Sequence, residues 1–199
     1  LNDQRHVIFS QRNEVIDNNK SENYSDIFLK EIIENLKNQK SKSLGKNSSN
    51  DFLIQLKSIL GKSFDEDDVN NLINLKNNEF EKSVLQKFDD VRKDRVNIIG
   101  ENQTKEIEKR IFLQLIDQNW KMHIQYLEQL RQVIGLRSYG QRDPLVEYKK
   151  EAFTLFENLL NKLKNDLITI LFNLKIVDKT EEKKETDEKI NEKFNQLSS

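Results

Sequence analysis

Cysteine is missing from this chain of 199 residues, and proline, tryptophan and methionine occur once each. Without a thiol there is no disulfide, no cysteine nucleophile and no thiolate metal site. Five glycines and one proline are too few breakers for an all-β or turn-rich fold. Long helices with broad solvated faces fit better. An excess of either charge is also lacking: 33 basic and 34 acidic residues leave a formal −1, with no general pull towards nucleic acid or an anionic membrane. No apolar run approaches the roughly 18 residues of a membrane span. The first residues read as helix and not as a signal segment. Leu1 is not an initiator methionine, and a helical pattern is already under way there, so a fragment whose start cuts an element is expected. The length allows one large domain or two small ones.

Recognisable chemistry is equally thin. There is no Gly-x-x-x-x-Gly-Lys-Ser/Thr loop to cradle a nucleotide and no serine elbow or other nucleophile setting. His6 and His123 are too few and too far apart in sequence to argue for a metal site. The acidic run from Asp65 to Asp68 lacks the glycine and distal glutamate of a calcium loop, and reads as charge at a helix start. No catalytic residue, metal ligand or cofactor is assigned, and the chain by itself is not expected to be an enzyme.

What the chain does have is helical periodicity. Residues 1 to about 18 read as helix, with Val7, Ile8, Gln11, Val15 and Ile16 as facing positions. A second helix fits from about 24 to 39 through Ile27, Phe28, Ile32, Ile33 and Leu36, and Lys40 to Asn50 reads as a polar loop on composition. Ser49, Asn50 or Asp51 then caps a short helix holding Phe52, Leu53, Leu56, Ile59 and Leu60, which Gly61 ends. Another starts at Phe64–Asp68 and carries Val69, Leu72, Ile73 and Leu75. From about 77 the pattern runs through Phe80, Val84, Leu85, Phe88 and Val91, weakens around Gly100, where a break or kink fits, and joins the next stripe near Ile107. After Val177 the chain is dense in charge and sparse in apolar residues, which predicts disorder or a solvated single helix.

The most informative stretch lies between those points. Leu113, Ile116, Trp120, Ile124, Leu127, Leu130 and Ile134 recur at three- and four-residue steps. Asp143–Pro144 is then an N-cap followed by proline at the first helical position. A second stripe follows through Leu145, Ala152, Phe153, Phe156, Leu159, Leu160, Leu163, Leu167, Ile170, Leu171 and Leu174. Each stripe needs a partner and the adjacent one is nearest, so an antiparallel helical hairpin is expected. Its tip is Arg137, Ser138, Tyr139, Gly140, Gln141, Arg142 and Asp143, a tyrosine between two arginines where most such turns are bland. Tyr139 either grips another chain through its ring and hydroxyl or folds back as a plug between the helix ends. Asp117 and Trp120, about one turn apart, point to helix packing and not to catalysis.

These residues resemble a known family. Trp120–Lys121 with His123, then Leu130–Arg131, then Ile134 to Phe153, IGLRSYGQRDPLVEYKKEAF, are similar to the two-helix finger of SecA, the ATP-driven motor of bacterial preprotein translocation. The opening LNDQRHVIFSQRNEVI resembles the long scaffold helix of the same family, and the two segments occur in the family's order. Met122 stands where an acidic residue is usual, and Ser138 where glycine or alanine precedes the tip tyrosine. The second change restricts the backbone if that position needs a positive φ.

The resemblance implies an all-α fold: the end of a long scaffold helix at 1–19, a small helical wing at 20–105, a scaffold helix and two-helix finger at 106–177, and a charged tail at 178–199. It implies a part of the motor that drives ATP-dependent export through the SecYEG channel, with ATP and magnesium held by motor domains elsewhere in the parent. Arg137 to Arg142 would contact channel and polypeptide, and Trp120, His123, Arg131, Asp143 and Pro144 would pack and regulate the finger. The implied partners are SecYEG, unfolded preprotein and the motor domains, with a homodimer allowed and nucleic acid not expected. The implied place is the bacterial cytoplasm and, peripherally, the cytoplasmic face of the inner membrane. Members often end in a cysteine-rich zinc segment, which a chain without cysteine does not carry. From composition alone, a stand-alone helical adaptor remains an alternative to a motor part.

Overall fold

The structure, a computed structural model, describes residues 2–18, 21–43, 49–136 and 143–176. Among these every regular element is helical: α1 (Asn2–Asn18), α2 (Ser21–Ser43), α3 (Ser49–Leu60), a 3-10 turn (Gly61–Ser63), α4 (Glu66–Asn74), α5 (Asn77–Ile99), α6 (Glu101–Leu136) and α7 (Pro144–Asn173). None of them is long and apolar enough to cross a membrane. The expected residues 178–199 of the tail and the tip residues Arg137 to Arg142 lie outside the described residues.

Local chemistry sets several helix boundaries. Asp65 accepts the Asp68 backbone N–H at 2.7 Å and starts α4. Glu79 reaches back to the Lys76 N–H at 3.3 Å and starts α5. At Gly100 the backbone takes φ +83 and ψ 159, a region almost closed to other residues, and its N–H closes α5 on the Val96 carbonyl at 2.8 Å. Helix α6 begins at the next residue. Asp143 accepts the Leu145 N–H at 2.9 Å, and Pro144 leads α7 as expected.

The loop expected from Lys40 begins later. Lys40 to Ser43 continue α2 and do not join a polar loop. The cause is tertiary. The Lys40 side chain is buried, its Nζ donates to the carbonyls of Leu72, at 3.4 Å, and Leu75, and it lies 5.2 Å from the Phe80 ring centroid. A cation at the C-terminal end of α4 complements that helix's dipole. Composition, blind to α4, misses this partner.

The long helices α6 and α7 lie antiparallel, with His123 against Phe156 and Glu108 linked through Arg95 to Leu171. At 1.5 Å per residue they span ~54 and ~45 Å. Around them the buried side chains form one continuous core from Ile8 to Phe172, to which α1 to α5 all contribute. Aromatic groups mark its levels. Tyr24, Phe28 and Phe112 join α2 to α6, with centroids 5.6 to 5.8 Å apart. Phe172 joins the end of α7 to Phe88 and Phe64 at 5.0 and 6.0 Å. The third group lies about midway along α6 and α7, at the base of the part of the hairpin that extends beyond its contacts with α1.

Candidate functional site: the base and arms of the hairpin

The hairpin base is where α1 meets both arms. Helix α1 packs through Gln4, Ile8, Arg12 and Val15, a stripe at three- and four-residue steps, and leaves Val7, Phe9 and Ile16 exposed although Val7 and Ile16 were expected to face inwards. The glutamine bridges the arms. Gln4 Nε2 donates to the Ala152 carbonyl of α7 at 3.2 Å, which leaves its Oε1 to accept from His123 Nε2 of α6 at 3.0 Å. His123 is therefore the Nε2–H tautomer. Burial, the largest cause, holds its pKa below the ordinary 6.5, so the ring is neutral at neutral pH.

The ring of Trp120 stands edge-on to Phe9 at 6.4 Å and lies 5.5 Å from His123, which in turn lies 5.7 Å from Phe156. Phe9, Trp120, His123 and Phe156 thus make an aromatic row across three helices. Beside it Arg12 makes a two-point ion pair with Asp117, at 2.9 and 3.3 Å. Trp120 and His123 come together as expected of neighbours on one face. Arg131 does not join them; it is exposed and pairs with Glu128 at 2.9 Å. Asp143 and Pro144 form the start of α7, away from the row.

Towards the tip the arms carry apolar side chains that no core covers. Leu127 and Ile134 are buried, but Tyr126, Val133, Leu145, Val146 and Phe153 are exposed, Phe153 at 60%. A groove between the arms is lined by Tyr126, Leu130, Val133 and Leu155 and continues past Met122 towards Asn119. Leu145 and Phe153 were expected on the packed stripe of α7; they fall beside it, and the facing positions include Ile168 and Phe172 instead.

A second polar cluster, which the sequence reading did not single out, joins α2, α5, α6 and α7. Buried Arg95 donates to buried Glu108 at 2.8 Å and to the Leu171 carbonyl at 2.7 Å. Arg92 reaches Ser25 at 2.7 Å, Asp26 at 3.1 Å and Glu108 at 3.4 Å. The signal was present in the periodicity. Arg95 continues the stripe of Phe80, Val84 and Phe88, and Glu108 precedes Phe112 by one turn. Opposite charges at core positions of two successive helices mark a buried pair.

Among the described residues no group of three or more His, Asp or Glu stands together as a metal site. What the arrangement offers is mechanical: a long hairpin, clasped at its base, with apolar arms.

Residues 1–175 match the family described as the SecA wing and scaffold domain. The chain is similar to the protein translocase subunit SecA of Pelagibacter ubique, 61% identical over 182 residues that make 92% of this chain and 21% of that protein. The protein translocase subunit SecA of Thermodesulfovibrio yellowstonii is 33% identical over 194 residues, 96% of this chain and 21% of its own length. That of Caulobacter vibrioides is 35% identical over 182 residues, 88% of this chain and 19% of its own. The chain spans about a fifth of the length of these curated relatives.

Proposed function

We propose, since this chain belongs to the SecA wing and scaffold domain family, that it is the part of a preprotein-translocating motor that couples ATP-driven motion to the moving polypeptide. Residues 1–19 serve as the end of the scaffold helix, 20–105 as the wing and 106–177 as scaffold helix and finger. ATP and magnesium are held by motor domains of the parent, and this part contributes no catalytic group. It works at the cytoplasmic face of the membrane, against the SecYEG channel and an unfolded preprotein.

The observation that carries the reading is the hairpin itself. Helices α6 and α7 are long and antiparallel, and α1 clasps both arms at one level through Gln4, Trp120 and His123. From Trp120 the first arm extends a further ~24 Å to Leu136 at 1.5 Å per residue. A push on α1 therefore reaches the far end of a stiff lever. The exposed Val7, Phe9 and Ile16 on α1 fit a helix that has further domains to pack against. The exposed apolar residues of the arms suit weak contact with many sequences, because apolar contact does not read side-chain identity.

At the tip, Arg137, Ser138, Tyr139, Gly140, Gln141 and Arg142 touch channel and polypeptide, with Tyr139 as the grip. In the full-length protein, Tyr139→Ala is expected to slow preprotein transport into membrane vesicles while nucleotide binding stays intact. Transport at the original rate would remove the tyrosine from the mechanism.

A further inference from the structure

Helix α7 ends in a socket made by other elements. The last turn of an α-helix leaves its carbonyls without donors from its own backbone. Here side chains from elsewhere take two consecutive ones. Arg95 Nη1 of α5 donates to the Leu171 carbonyl at 2.7 Å, and Ser63 Oγ of the 3-10 turn donates to that of Phe172. The Phe172 ring is buried edge-on to Phe88 and Phe64. Gly61 closes the wall: its φ is +58, and a Cβ there would stand 2.3 Å from the Asn173 side chain. Behind Arg95, Glu108 and Arg92 continue the chain of contacts to Ser25 of α2.

We propose that Arg95, with Ser63 as second donor, is a positioning residue that sets the height and rotation of the second finger arm, so that α7 moves with α2 to α5 as one body. Successive carbonyls sit about 100° apart around a helix with 3.6 residues per turn. Two donors fixed on separate elements therefore define both rotation and axial position. A slide of ~1.5 Å without rotation, or a rotation without a slide, takes both carbonyls away from their donors. The planar guanidinium adds direction, since it must meet Glu108 and Leu171 in its own plane, and its charge complements the negative end of the helix. Buried ion pairs are weak sources of net stability; the contribution of this one is geometry. The purpose of the rigid coupling rests on the finger reading above, but its existence does not.

Because the chain has no cysteine, two can be introduced without background labelling. Exposed Asp89 of α5 and exposed Glu157 of α7 are replaced by Asp89→Cys and Glu157→Cys in the 199-residue chain and carry nitroxide labels. Their separation is read by pulsed electron spin resonance. A single narrow distance is expected. Arg95→Ala should shift or broaden it by ~1.5 Å or more, and Arg95→Lys, which keeps the charge but not the fork, should do so in part. The far-UV circular dichroism, which follows all the helices, should keep its amplitude.

An unchanged distance in Arg95→Ala overturns the proposal. A distance that changes together with a loss of helical circular dichroism also overturns it, because that is general loosening. If Arg95→Ala does not fold, Ser63→Ala, which removes one hydroxyl, takes the same measurement with the same criteria. Transport is not part of the readout, so failure here and failure of the Tyr139→Ala experiment are separate results.

Discussion

A buried histidine hydrogen-bonded to an amide oxygen is held in its neutral form, because charging it means placing an unbalanced cation between Phe156 and Trp120. His123 thereby links stability to pH. Its folded pKa lies below the ordinary 6.5, so on acidification the unfolded chain takes up the proton first. The contribution is fully present above pH 6.5 and is lost as pH falls through the folded value. Denaturant midpoints taken between about pH 7.5 and 5, the range in which histidine titrates, should fall more for the original chain than for His123→Gln. Equal losses would show that the ring is not the proton acceptor. Trp120 and His123 were legible as a pair because they share a helix. Gln4 and Phe9 were not, since no local pattern says which distant helix will lie across that face.

Among elements, the two glycines with positive φ separate backbone conformation from crowding. Gly100, between α5 and α6, has open space where a Cβ would go, whereas Gly61, between α3 and α4, has Asn173 against it. Gly100→Ala therefore tests conformation alone and should cost ~1–3 kcal/mol in urea unfolding. Gly61→Ala adds a clash and should cost more. The reverse order would mean that the socket around Asn173 yields easily. Helix ends at Gly61, Gly100 and Asp143–Pro144 were visible beforehand because a glycine conformation or a cap is encoded within a few residues. The end of α2 was not. Lys40 stays helical through the carbonyls of Leu72 and Leu75, at the end of α4, and the Phe80 ring, a stabilisation more than thirty residues away in sequence.

At the scale of the molecule, the buried residues of α1 to α5 and those of α6 and α7 belong to one core. The same packing that the Arg95 measurement probes locally should make unfolding cooperative. Far-UV circular dichroism, which follows all helices, and Trp120 emission, which follows the hairpin base, are expected to give coincident urea transitions. Two separated transitions would show that the region of α2 to α5 unfolds independently of the hairpin of α6 and α7.

By itself, the sequence determined the helical class, the hairpin of α6 and α7, most helix boundaries and the family, all of which depend on period, capping or contiguous motif. The tertiary structure alone decided which apolar positions are spent on the core. It buries Phe172 and exposes Phe153, both on α7, because only the former meets α5. It also decided where charge is buried: Arg95 and Glu108, 3% and 2% exposed at the side chain, are tolerable only because each supplies what the other lacks. Period is a property of one helix, whereas burial and charge pairing are properties of its neighbours.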